Sequence, residues 1–147
     1  MLRNLKLPYW TVPFILLLVV FITFGLLIPD LGFYWDDWAK TLVDKVFGPS
    51  GYWDYYAEDR PLSGWTHILL NAILGDRPLN WHVFTLIMRW LSACGLWVCM
   101  IGVWPKHKMQ AVLTAILFSV FPIFTLQSIP VTFHQPVSYT HLRAHET

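Results

Sequence analysis

Charge is scarce in this chain. Only 13% of its 147 residues are Asp, Glu, Lys or Arg, against roughly 25% in a soluble domain, which argues against an ordinary water-soluble globule. Basic clusters are missing too. The net charge of +1 says nothing about nucleic acid, but no dense run of Lys and Arg of the kind that binds a phosphate backbone is present, so no nucleic-acid partner is expected. Cysteine is limited to Cys94 and Cys99. Five residues apart in one apolar helix, they point to different faces and cannot bridge within it. They read as small hydrophobes and leave the redox compartment undetermined. No internal repeat and no low-complexity tract is present.

What is abundant is apolar and aromatic. Hydrophobic residues make up 56% of the chain, aromatics 17%, and the mean hydropathy is +0.49. This composition predicts an all-α, polytopic membrane protein with three transmembrane helices, at about 10–29, 81–104 and 109–129. The first run, Trp10 to Pro29, is long enough to cross a bilayer at about 1.5 Å per residue. It is also too long for a signal-peptide core, and no small-residue cleavage site follows it, so an uncleaved span is expected. Tyr9 and Trp10 at one end, with Tyr34, Trp35 and Trp38 at the other, suit an aromatic belt. In the third span Pro122 is expected to introduce a kink.

Charge placement gives the orientation. Asp30, Asp36, Asp37, Asp44, Asp54, Glu58, Asp59 and Asp76 all fall between the first span and Trp81. Arg3, Lys6, Lys106, His107 and Lys108 lie in the other exposed segments. The positive-inside rule places the N-terminus and the 106–108 turn in the cytoplasm, and the loop 30–80 outside, in a multi-pass protein of the cell membrane.

Two amphipathic surface helices are expected inside that loop. Over 35–47, Trp35, Trp38, Leu42 and Val46 recur at helical spacing, with Lys40, Asp44 and Lys45 elsewhere on the surface, so this helix is expected to lie on membrane lipids. Gly48-Pro49-Ser50-Gly51 ends it, and an irregular aromatic stretch, Tyr52 to Tyr56, follows. The second helix runs from Pro61 or Leu62 to Leu74, stopped by Gly75-Asp76-Arg77-Pro78. One of its faces carries Leu62, Trp65, Leu69 and Ile73, another Ser63, His67 and Asn71. At about 21 Å it is too short to span.

The chemistry-bearing residues sit in the same loop. Asp36 and Asp37 lie seven and eight residues beyond Pro29, within Tyr34-Trp35-Asp36-Asp37-Trp38. Neighbouring carboxylates can hold a divalent cation such as Mg or Mn, or divide the work between general base and metal ligand. They can equally cap the surface helix, whose dipole favours negative charge at its start. Arg60, in Glu58-Asp59-Arg60-Pro61-Leu62, can bind a phosphate or reach toward headgroups. Arg89 lies mid-span and needs a partner or a water-filled cavity; a substrate phosphate and a structural acidic partner both fit. His67 is a candidate substrate contact, with a hydrogen-bonded surface histidine as the plainer reading.

A single span, an external acidic pair, two surface helices with the second opening at Arg60-Pro61-Leu62, and then a span together resemble the N-terminal part of the C-type (GT-C) polytopic membrane glycosyltransferases. That family includes protein O-mannosyltransferases and lipid A aminoarabinose transferases, and the resemblance covers roughly residues 10–104. It implies a polyprenyl-phosphate sugar donor and transfer with inversion on the extracytoplasmic side. It further implies that Asp36 and Asp37 match the family's catalytic base and, in some members, metal ligand, and that Arg60-Pro61-Leu62 matches the second-helix motif. Relatives often carry Glu at the second acidic position; Asp37 here leaves base and ligand unassigned. His82 and Arg89 fall where some relatives place polar residues, without an assigned role.

Two other readings compete: a non-catalytic transporter subunit or scaffold, in which the acidic pair only caps a helix, and a surface-polysaccharide polymerase or ligase. After Pro136 the chain turns polar and loses membrane periodicity. Residues 137–147 resemble translated sequencing-adapter DNA, so His141 and His145 are not built into any site. Residues 1–136 are therefore expected to be the N-terminal part of one membrane domain, inactive by itself, because three spans cannot enclose a lipid-linked donor and an acceptor together.

Overall fold

The computed structural model of the chain describes residues 8–34, 36–58 and 61–121. Every regular element among them is helical, with no strand. Two helical stretches, Tyr9–Asp30 and Pro78–Val103, are long and apolar enough to cross a membrane by length and composition. The chain divides into two compact units, residues 8–28 with 86–121 and residues 29–85.

The first unit begins with a 3-10 turn, Tyr9–Thr11, and α1, Val12–Val20. The helix then widens into a π-helical stretch, Phe21–Gly25, where the Thr23 hydroxyl donates to the Val19 carbonyl at 2.7 Å. The first expected span is thus helical from Tyr9 to Gly25 but not uniformly α, and a turn at Leu26 and Leu27 leads to a 3-10 turn, Ile28–Asp30. Its second partner, α5 (Pro78–Val103), contributes residues from 86 onward, and α6 spans Lys108–Val120. Small side chains at Ala93, Ala111 and Ala115 let helices approach closely, and Val12, Leu16, Trp97 and Val112 fill the space beside them. The Trp90 indole N–H donates to the Pro13 carbonyl at 2.9 Å, fixing α5 against α1.

The described part of the third expected span is α6, 13 residues or about 20 Å long. Phe121 leaves the helix with φ −63° and ψ 128°. Pro122 follows in the sequence, and a residue before proline is driven out of the α region. The helix therefore stops ahead of the expected kink, and 122–129 lie outside the described residues, as does the polar tail 137–147.

The second unit holds α2 (Asp36–Phe47), α3 (Gly51–Tyr56), α4 (Pro61–Leu74) and the first turns of α5. Gly48 and Gly75 adopt positive φ, 71° and 63°, and donate to the carbonyls of Asp44 and Asn71 at 2.9 and 2.8 Å. Each closes its helix with a left-handed cap that a Cβ would strain, as the two Gly-containing stop signals predict. The 52–56 stretch is not irregular. Backbone bonds from Gly51, Tyr52 and Trp53 back to Gly48, Pro49 and Ser50 restart the helix at once. Tyr52 and Tyr56, one turn apart, then both point inward with Val43 and Ile68.

Burial on α2 and α4 runs opposite to that of a soluble amphipathic helix. Trp38, Leu42 and Val46 are 61, 61 and 60% exposed, whereas Asp37 and Lys40 are 0 and 3% exposed. On α4, Trp65, Leu69 and Ile73 are at least half exposed while His67 is fully buried. This corrects two expectations: Lys40 is not on the surface, and His67 is not a surface histidine. The apolar stripes take the outside, and the polar residues are enclosed by α3 and the start of α5.

Candidate active site

The acidic pair is delivered by a short, well-anchored lead. Within residues 31–34, Phe33 is buried against Trp81, with Leu70 and Leu74 beside it. His82 Nε2 donates to the Gly32 carbonyl at 3.0 Å; the acceptor is a carbonyl, so that nitrogen carries the proton. The Asp37 backbone N–H donates to the Tyr34 carbonyl at 3.1 Å, and α2 begins. Asp36 is the first residue of that helix, but its side chain lies outside what the structure describes, as does Trp35.

Asp37 is fully buried in the first turn of α2. Unsatisfied backbone N–H groups and the positive end of the dipole favour a carboxylate there. The Thr41 hydroxyl donates to the Asp37 carbonyl at 2.9 Å, which keeps the turn closed. Lys40 sits three residues on, within a turn of Asp37 along the helix, also buried. Two oppositely charged side chains enclosed on one helix are costly unless they are partnered.

An aromatic and imidazole stack adjoins this helix. The Tyr52 hydroxyl donates to the Lys40 carbonyl at 3.0 Å. The His67 ring lies 5.4 Å from Tyr52 and 5.0 Å from Tyr56, at 22° and 18° to their planes. Tyr56 Oη and His67 Nε2 share a hydrogen bond of 3.0 Å, and the Trp81 ring stands 6.3 Å from the imidazole. Burial, followed by the charges of Asp44 and Asp76, raises the Tyr52 pKa far above its usual value. Asp44 accepts from the Asn71 side chain at 2.8 Å, and Asp76 stands 3.6 Å from Lys45 on the surface.

The second unit therefore encloses Asp37, Lys40, Tyr52, Tyr56 and His67 among helices whose outer stripes are apolar. Of the residues expected from the sequence, Asp37 and His67 belong to this unit. Arg60 and Asp59 lie outside the described residues. Arg89 belongs to the first unit and is 4% exposed. Its Nη1 donates to the Ser119 carbonyl at 3.2 Å, and its guanidinium lies 4.1 Å above the Phe24 ring. Ser119 is one residue from the C-terminus of α6, where carbonyls lack helical partners and the dipole is negative. An arginine cap on that helix end is what the contacts provide.

Lys40, Tyr52 and Tyr56 went unassigned in the sequence. The three-residue step from Asp37 to Lys40 and the four-residue step from Tyr52 to Tyr56 were the available signals. The acidic pair raised the prospect of a divalent cation. Among the described residues no three of His, Cys, Asp and Glu converge as a ligand set, and the Asp36 side chain lies outside them.

No family model, curated protein or solved structure matches this chain.

Proposed function

We propose that the chain is the N-terminal part of a multi-pass membrane glycosyltransferase of the C type, taking its sugar from a polyprenyl-phosphate donor on the extracytoplasmic side. The observation that carries the reading is the placement of the acidic pair. It opens a helix with an outward apolar stripe, and its second carboxylate is buried in a polar interior. A carboxylate taken from water is a stronger base, which suits it to accept a proton from a hydroxyl.

In this reading the acceptor hydroxyl attacks the anomeric carbon, and the bond from that carbon to the donor phosphate breaks. Asp36 or Asp37 takes the hydroxyl proton, and the lipid phosphate leaves with the electron pair. Arg60 is the candidate to steady the phosphate charge. The apolar stripes of α2 and α4 lie in membrane lipid, a third span begins with α6, and the N-terminus is cytoplasmic. Lipid contact would account for the outward Trp38, Leu42 and Val46, which in water would leave a costly apolar surface.

The experiment is a donor comparison with the full-length protein in liposomes. A radiolabelled sugar on a polyprenyl phosphate should be transferred to acceptor, and the same sugar on a nucleotide should not. Transfer from the nucleotide sugar alone, or none from any lipid-linked donor, would overturn the proposal.

A further inference from the structure

Three consecutive residues ahead of the acidic pair are each held by a different contact. The Gly32 carbonyl accepts from His82 Nε2 at 3.0 Å, the Phe33 ring packs on Trp81, and the Tyr34 carbonyl accepts the Asp37 N–H at 3.1 Å. Trp81 and His82 are themselves adjacent on α5 and 2 and 3% exposed. Trp81 is in turn fixed by its indole N–H, which donates to the Gly75 carbonyl at 2.8 Å in the turn that ends α4. Phe33 also meets Trp38 edge-on, with centroids 6.0 Å apart at 82°.

We infer that Trp81 and His82 are positioning residues that hold the 32–34 lead and so set where Asp36 and Asp37 stand. The inference rests on the proposed catalytic role of that pair. Gly32 has open space where a Cβ would be, and glycine has the widest conformational freedom of any residue. Left alone, this lead would let the start of α2 move. A bonded carbonyl at Gly32 and a buried ring at Phe33 remove that freedom at two successive residues. Neither Trp81 nor His82 need touch substrate. The histidine acts through Gly32, the tryptophan through Phe33.

The reach of the imidazole matters more than its charge, because a neutral Nε2–H suffices as donor. Glutamine presents an N–H at a similar distance from the backbone, and leucine fills similar volume without one. His82→Leu should release the lead, and His82→Gln should restore it.

The test uses the full-length protein in nanodiscs. Amide hydrogen exchange is read at Gly32 to Trp38, and transfer is followed with a polyprenyl-phosphate sugar. In His82→Leu, exchange of the Asp37 amide should speed up roughly fivefold or more. The kcat should fall by up to about 100-fold with the donor KM unchanged, since small misplacements of a reacting group are costly in rate. His82→Gln should recover both. Unchanged Asp37 exchange in His82→Leu overturns the inference, as does faster exchange with undiminished kcat. If wild type transfers no sugar, the catalytic proposal fails by itself, and the exchange data still decide whether His82 holds the acidic pair. Should His82→Leu not fold, Phe33→Leu loosens the same lead from its other contact and is read in the same way.

Discussion

Tyr56 Oη stands 3.0 Å from His67 Nε2, with both side chains buried and their rings stacked at 5.0 Å. The pair ties α3 to α4 inside the second unit. Tyr56→Phe keeps the ring and deletes the bond, which leaves a polar nitrogen enclosed with one partner fewer. The expected loss is about 1–3 kcal/mol, measured by thermal unfolding in detergent. A change well below 1 kcal/mol would show that the contact is incidental.

Tyr52 predicts a pH dependence. Burial, then Asp44 and Asp76, keeps its hydroxyl neutral to a pH well above the ordinary value, which is about 10 in an unfolded chain. The folded pKa is raised, so the stabilisation is complete below about pH 10 and is lost as pH rises through the folded value. An unfolding series from pH 7 to 11 should show the melting temperature falling at the alkaline end. In Tyr52→Phe this part of the fall should disappear, while a smaller, pH-independent loss remains for the missing bond to Lys40. An equal alkaline fall in the variant would contradict the assignment.

Element types were legible where periodicity and stop signals agreed. The Gly48 and Gly75 caps, the extent of α4 and the start of α2 follow from residue order and φ preferences. Which face of α2 and α4 turns inward was not legible in the same way. The apolar stripe Trp38-Leu42-Val46 is equally well formed whether it meets a core or lipid, and only the burial of Asp37 and Lys40 shows which face turns inward. The helix at 51–56 was hidden because Pro49, Ser50 and Gly51 read as a breaker, although a proline turn can also start a helix. The π-helical Phe21–Gly25 leaves no mark in an apolar run. Asp37 was legible as a candidate site residue, but its full burial and the Tyr52–His67–Tyr56 stack depend on contacts between segments that periodicity does not encode.

Gly64 lies where α4 packs tightly on α3. A Cβ there would stand 3.2 Å from both the Trp53 ring and the Tyr52 carbonyl. Gly64→Leu should force the helices apart and cost about 1–3 kcal/mol, seen as lower thermal stability and faster amide exchange across α3. Unchanged stability would mean that the two helices separate without penalty.

The outward stripes can be located directly. With nine tryptophans in the chain, site-directed spin labels are cleaner than intrinsic fluorescence. Labels at Leu42→Cys and Ile73→Cys, in a background with Cys94 and Cys99 replaced, should be accessible to oxygen and shielded from a water-soluble relaxant. Free access of the polar relaxant to both would place the stripes in water, and exclusion of oxygen and relaxant alike would place them against protein.

In the proposed reaction the acidic pair performs the proton transfer that accompanies sugar transfer. The most direct test compares wild type with Asp36→Asn and Asp37→Asn in the full-length protein, using a polyprenyl-phosphate sugar and matched membrane expression. At least one variant should lose transfer by about 10²- to 10⁴-fold, as removal of a general base requires, with its melting temperature changed by no more than a helix cap would explain. Two variants that transfer sugar at the wild-type rate would contradict it.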